Sequence, residues 1–237
     1  MSHPISFLQI LAGGRIPEVL VGTWIVMGLL IVFALIARAS LLAASDPIVP
    51  QEGITVRTVA EVLVEWIDGF VQSVMDDHDW AEDHHYRKLL PFLGSLFLFI
   101  LTANLLGLLP GMEAPTGNSN LTFALGAICL VYYVFQGFYK KGALGYLRSF
   151  LGPLLLLAPL MLPIELADNL FRPFTLGLRL FANMFADHTV LSIFISITYV
   201  LLPLAFYALG SIVSVIQALI FMVLTMSYIK MATSHDH

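Results

Sequence analysis

The sequence predicts an all-α integral membrane protein with about five membrane-crossing helices and one amphipathic helix at the membrane surface. Of its 237 residues, 59% are hydrophobic and only 11% are charged, whereas charged residues make up about 25% of a typical soluble domain. Uncharged runs long enough to cross a bilayer recur along the chain, separated by charged or proline-containing stretches. We therefore expect a single membrane domain, 1–237, whose last two helices are long.

The charge balance argues against a nucleic-acid-binding protein, because the net charge is only −5 and no basic patch occurs. Cys129 is the single cysteine, so an internal disulfide is excluded.

The N-terminal residues lack the basic start and short apolar core of a cleaved signal peptide. The first apolar run, Val19 to Ala37, has no charged residue over 19 positions, so we predict the first span at 19–38.

The next predicted element is an amphipathic helix at 54–75. Its charged residues recur at helical spacing, at Arg57, Glu61, Glu65 and Asp68. Such a pattern is typical of a helix that lies at the membrane surface. The acidic and histidine-containing stretch that follows, 76–88, is predicted to be a solvated loop, since it shows no distinctive metal-ligand spacing.

Two spans are then predicted at 89–109 and 121–139, joined by a loop that has turn residues and no lysine or arginine. The uncharged segment 149–163 differs from a clean span because it contains Pro153, Pro159 and Pro163. Prolines interrupt the helical hydrogen-bond ladder, so we predict a broken or re-entrant segment there.

The last two helices are predicted at 164–200 and 204–232. Residues 189–229 contain no Asp, Glu, Lys or Arg over 41 positions, and at ~1.5 Å per residue this length is enough for two crossings. Pro203 is the natural place to turn. With an external N-terminus and a cytoplasmic C-terminus, Arg15 is the exception and eight other cations lie on the cytoplasmic side: Arg38, Arg57, Arg87, Lys88, Lys140, Lys141, Arg148 and Lys230.

The helix at 164–200 carries a polar stripe centred on Arg179. At 100° per residue, six polar or small residues lie within about 40° of Arg179: Glu165, Asp168, Arg172, Thr175, Asn183 and Ala186. One interpretation is a packed helix with small residues for close approach. However, a charge at bilayer depth costs ~2.5–3.5 kcal/mol, and no acidic residue lies three or four positions from Arg179. Its partner must come from another helix or another chain.

Asp187 and His188 give the same helix a second polar surface. His188 points away from Arg179 by about 180°, and Asp187 by about 80°. Histidine exchanges protons near neutral pH, whereas arginine keeps its charge. Asp187 and His188 are therefore candidate proton-relay groups, and the alternative for His188 is a hydrogen-bonded packing residue.

Gln217 is the one strongly polar side chain in its part of the last helix, on a face shared with Gly210, Ser214, Phe221 and Tyr228. It either makes an interhelical hydrogen bond or lines a hydrated path. The sequence contains no G-x-x-x-x-G-K-[ST], H-E-x-x-H or G-x-S-x-G motif. We therefore predict no nucleotide, cofactor or metal bound directly by this chain.

Three motifs resemble those of subunit a of the F-type ATP synthase. They are NLLGLLPG at 104–111, LGLRLFANMFADH at 176–188 and IQALIFMVLTMSYIKMA at 216–232. They occur in that family's order, and the resemblance covers the chain from about residue 85 to the end.

The resemblance implies a non-catalytic, proton-translocating stator subunit of the bacterial inner membrane, with its last two helices tilted against a rotating ring of c subunits. The other implied partners are the peripheral stalk b subunits and the rest of the ATP synthase. Arg179 matches the essential arginine that faces a ring carboxylate, and Glu165, Asn183 and Gln217 match polar positions along two half-channels. Many bacterial relatives have Glu at the position of His188, so Asp187 is expected to supply the carboxylate here.

Two other functions remain open at this point. An independent ion carrier would use Arg172 and Arg179 to bind an anionic substrate. An intramembrane hydrolase would use Asp187 and His188 as catalytic groups, although no nucleophile or metal motif accompanies them. Co-purification with c subunits and the peripheral stalk distinguishes a stator subunit from both.

Overall fold

The computed structural model describes residues 17–43, 55–75, 86–109, 112–149, 158–197 and 201–233. These residues form six α-helices and one 3₁₀ turn, Pro115–Gly117, and contain no β-strand. The helices are α1 Glu18–Leu42, α2 Val56–Met75, α3 Tyr86–Leu106, α4 Ser119–Ser149, α5 Ala158–Ile197 and α6 Leu201–Thr233. The predicted all-α fold is confirmed.

Four of the described stretches are long and apolar enough to cross a membrane: Glu18–Leu42, Arg87–Leu106, Ser119–Gly142 and Leu204–Thr233. The predicted integral membrane class is thus confirmed. Helix α5 is not among them, but its 40 residues span about 60 Å at ~1.5 Å per residue. A fifth crossing by α5, and the tilt of α5 and α6, stay predictions.

The helices divide into two compact units, Met1–Glu113 and Ala114–His237. The first unit contains α1, α2 and α3, which contact one another in all three pairs. Val26 of α1 packs with Ala103 and Leu106 of α3 in a small apolar core. The description of 1–237 as one membrane domain stays a prediction.

Helix α2 is amphipathic, but its charges are not all solvated. Its buried face includes Ile67 and Val71, whereas Val62 is 58% exposed. The Arg57 side chain is only 2% exposed, and its Nε donates to Glu61 Oε1 at 2.6 Å. This pairing provides a counter-charge for a cation that would otherwise be costly to bury.

The second unit contains α4, α5 and α6, again with all three pairs in contact. Glycines let the backbones of α4 and α5 approach closely. A Cβ added at Gly126 of α4 would lie 2.5 Å from the carbonyl oxygen of Pro173, and one added at Gly177 of α5 would lie 2.8 Å from the carbonyl oxygen of Thr122. Reciprocal glycine contacts of this kind are typical of tightly packed membrane helices.

The largest differences from the sequence-based boundaries in this unit are at the start of α5 and the end of α4. Helix α5 already begins at Ala158, so 158–163 is helical, whereas we predicted a broken segment over 149–163; residues 150–157 lie outside the described ranges. Helix α4 continues to Ser149, but Gly142 has φ 74°. Glycine readily adopts that left-handed conformation, which separates the long rod from a short final segment.

Candidate functional site

Arg179 lies on the outer surface of the second unit. Its neighbours Leu176 and Leu180 are 1% and 0% exposed and pack inward, whereas the Arg179 side chain is exposed. Among the residues that the structure describes, no carboxylate forms an ion pair with Arg179. The helix thus directs a permanent cation away from its own core, toward whatever covers this surface.

The polar stripe N-terminal to Arg179 contains an ion pair that the sequence analysis did not identify. Arg172 Nη2 pairs with Asp168 Oδ2, four residues earlier on α5. The Arg172 guanidinium also lies over the Tyr228 ring of α6, 5.8 Å from its centroid. The i, i+4 spacing of an acid and a base was the available signal. Arg172 is therefore compensated within the chain, whereas Arg179 has no ion pair among the described residues.

Two of the predicted site residues are in direct contact across α5 and α6. Asn183 Nδ2 donates to Gln217 Oε1 at 2.7 Å. Gln217 is only 2% exposed, and within the described part of the chain its Nε2 has no hydrogen-bond partner. A buried amide donor without a partner is costly, so this position favours an additional acceptor such as water.

Asp187 and His188 follow one helical turn later. The Asp187 side chain is half-buried, and its Oδ2 is buried. The backbone of His188 belongs to α5, but its side chain is outside the described part of the structure. A shared relay role for these two residues stays a prediction. Glu165 is half-buried near the start of the same helix.

A second polar cluster, around the Tyr133 hydroxyl, was missed by sequence reasoning. Tyr133 of α4 donates its hydroxyl hydrogen to the carbonyl oxygen of Asn169 at 2.8 Å. Its ring lies 6.1 Å from that of Tyr228. The Asn169 amide in turn donates to the carbonyl oxygen of Glu165 at 3.1 Å. The cluster therefore joins all three helices of this unit near Arg172.

Tyr146, on the short final segment of α4, folds back onto the same unit. The centroid of its ring lies 4.7 Å from that of the Phe138 ring. The Tyr146 ring also covers Gly137, since a Cβ added at Gly137 would lie 2.4 Å from the ring. Burial raises the pKa of the Tyr146 phenol, and the nearby Arg172 cation partly opposes the shift. Tyr146 thus stays neutral well above neutral pH.

The described residues include no cluster of three or more His, Cys, Asp or Glu side chains that could hold a metal ion. The stretch 76–85, with its histidines and acids, lies outside the described residues. The absence of a cofactor or metal therefore stays a prediction.

Comparison with known proteins gives a consistent result over most of the chain. The family model described as ATP synthase A chain matches residues 20–230. The chain is 41% identical to ATP synthase subunit a of Bdellovibrio bacteriovorus, over 85% of each protein. It is 42% identical to that of Solibacter usitatus over 73% of each, and 36% identical to that of Trichlorobacter lovleyi over 100% of each. The chain therefore belongs to the ATP synthase A chain family.

Proposed function

We propose that this chain is the non-catalytic stator subunit a of a bacterial F-type ATP synthase. In this role it carries protons through two half-channels to and from a carboxylate on the c ring, and so couples proton flow to rotation and ATP synthesis. The observation that supports the proposal most is Arg179: an exposed cation, on a helix with apolar flanks, that no carboxylate of the described chain neutralises. A ring carboxylate arriving from another chain would complete the pair.

The chemistry follows from the fixed charge. A cation nearby lowers the pKa of a carboxylate by roughly 1–3 units. A protonated ring site that approaches Arg179 therefore releases its proton into the exit half-channel. The ionised site pairs with Arg179, moves on, and takes a proton from the other half-channel. Each charge that crosses 100 mV delivers about 2.3 kcal/mol, which the ring collects as torque. Arg179 also repels protons that would pass directly between the half-channels.

The half-channels require polar groups along the two long helices. Asn183 and Gln217 are joined by a hydrogen bond, and the buried Nε2 of Gln217 favours a water molecule beside them. We assign these two residues and Glu165 to the lining of the half-channels. Asp187 and His188 share the relay of protons on the access side, because they are the titratable side chains off the arginine face.

The partners of the chain under this proposal are the c ring, the peripheral stalk b subunits and the rest of the ATP synthase, where nucleotides bind. The chain lies in the bacterial inner membrane, with the N-terminus outside and the C-terminus in the cytoplasm. The distribution of lysine and arginine supports this orientation. So do the four apolar spans found among the described residues and the long helix α5.

The test is proton flux in vesicles that contain the purified complex. Arg179→Ala should abolish ATP-driven proton pumping and let protons leak passively, because the barrier between the half-channels is lost. Arg179→Lys keeps a charge but loses reach and the planar fork, and a desolvated lysine can lose its proton. It should also fail to pump, but leak less. Arg38→Ala, which removes an exposed arginine of α1, is the matched control. Normal pumping by an assembled Arg179→Ala complex would refute the proposed role.

A further inference from the structure

Helix α5 contains a proline in the middle of its polar stretch, at Pro173. Proline has no backbone N–H and therefore cannot donate to the carbonyl oxygen four residues earlier. That oxygen belongs to Asn169. An unsatisfied carbonyl in an apolar setting is costly and is normally bonded by another donor.

The missing donor is supplied by the neighbouring helix. Tyr133 of α4 points its hydroxyl at the Asn169 carbonyl oxygen, with an O···O distance of 2.8 Å. The Tyr133 side chain is 1% exposed, so its hydroxyl needs a partner as much as the carbonyl does. The contact satisfies both groups at once, at the one place where Pro173 interrupts the ladder.

Two further contacts hold α4 against the same stretch of α5. Gly126 faces the carbonyl oxygen of Pro173, and Gly177 faces the carbonyl oxygen of Thr122, both too closely for a side chain. Helix α4 thus contacts α5 before, at and after the proline. Helices commonly bend at proline because one hydrogen bond is missing. A donor fixed on α4 limits how far the two parts of α5 can move relative to each other.

We propose that Tyr133 is a positioning residue for Arg179. Its hydroxyl takes the place of the N–H that Pro173 lacks. It thereby fixes the part of α5 that carries Asp168 and Arg172 relative to the part that carries Arg179 and Asn183. The inference rests on the proposed function, because the position of Arg179 matters only if it meets a ring carboxylate.

The experiment compares Tyr133→Phe in two backgrounds. Tyr133→Phe keeps the ring and removes only the hydroxyl. Pro173→Ala creates an N–H at position 173 that can bond the Asn169 carbonyl within the helix. We expect Tyr133→Phe to lower the pumping rate per assembled complex about tenfold, the order expected for one lost buried hydrogen bond. In the Pro173→Ala background the same change should cost less than about twofold.

The matched control is Tyr139→Phe, which removes a hydroxyl from another tyrosine of α4. Tyr139 is 68% exposed and should tolerate the change. Where the Pro173→Ala complex itself pumps too slowly, the comparison is made on the melting temperature of the complex. If Tyr133→Phe prevents assembly, Pro173→Ala should restore it.

If only packing of the ring mattered, Tyr133→Phe would cause no loss in either background. If the hydroxyl acted independently of Pro173, the losses in the two backgrounds would be equal. Either result would overturn the inference. Arg179→Ala is measured in the same vesicles. An inactive Arg179→Ala complex beside a fully active Tyr133→Phe complex refutes only the role of Tyr133. A fully active Arg179→Ala complex refutes the proposed function itself.

Discussion

The close approach of α4 and α5 predicts that Gly126→Ala destabilises the second unit. The new Cβ would lie 2.5 Å from the Pro173 carbonyl oxygen, whereas ordinary contact begins at 3.4 Å. The two backbones would therefore have to separate by about 0.9 Å. Neither contacting atom is at the end of a flexible side chain, so the strain cannot be relieved by a rotamer change. Overpacking of this kind costs typically 1–3 kcal/mol.

The measurement is the melting temperature of the purified chain in detergent, followed by circular dichroism. For a chain of this size, each kcal/mol shifts the melting temperature by roughly 2–4 °C. We therefore expect Gly126→Ala to melt about 2–12 °C lower than the original chain. The matched control is Gly28→Ala, since an added Cβ there meets nothing within 4 Å. It should leave the melting temperature unchanged or raise it, because alanine favours a helix over glycine. Equal melting temperatures of the two variants would show that α4 and α5 do not pack this closely at Gly126.

The half-channels, the Tyr146 phenol and the topology can each be tested by substitution. Gln217→Leu should slow pumping several-fold, because Asn183 loses its partner across α5 and α6; pumping at the original rate would contradict this. Replacement of both Asp187 and His188 by Leu should slow proton-driven ATP synthesis strongly, and near-normal synthesis would place the relay elsewhere. The raised pKa of Tyr146 means that the unfolded chain releases this proton first, so stability should fall as the pH rises through about 10; Tyr146→Phe should flatten that loss in alkaline melting curves, and an unchanged slope would contradict it. A cysteine placed at His235 in a Cys129→Ser background should react with impermeant reagents only from the cytoplasmic side, and strong labelling of intact cells would reverse the topology.

The sequence predicted those features that depend on long apolar runs or on a specific motif. An uncharged run such as Val19 to Ala37 can only be a buried or membrane-spanning helix, and α1 follows it closely. The all-α membrane fold and the family are confirmed. The roles of Arg179 and its companions are still predictions, although Arg179 is exposed as a partner in another chain requires.

The features that the sequence analysis missed depend on contacts between residues that are distant in the chain. The Tyr133 hydrogen bond joins residues 36 positions apart. For Gln217 the sequence indicated an interhelical hydrogen bond as one alternative, but not its partner Asn183, 34 positions away. Helical periodicity places each side chain on a face but does not say which faces meet. Pro173 was the visible signal for the first contact, since it leaves a known carbonyl without its donor. The burial of Arg57 was not predictable either: its charge indicates a solvated face, yet packing buries the side chain beside Glu61.

The proposed function requires that the exposed face of α5 around Arg179 meets the c ring. The direct measurement is disulfide cross-linking in the assembled complex, in a Cys129→Ser background, to a cysteine placed beside the ring carboxylate. Thr175 and Ala186 are exposed and lie about 40° and 20° from Arg179 around the helix. Leu170 is also exposed, at 65%, but on the opposite side, about 180° away. We expect Thr175→Cys and Ala186→Cys to cross-link to the ring, and Leu170→Cys not to. Cross-linking of Leu170→Cys alone would show that another face of α5 meets the ring and that Arg179 does not face it.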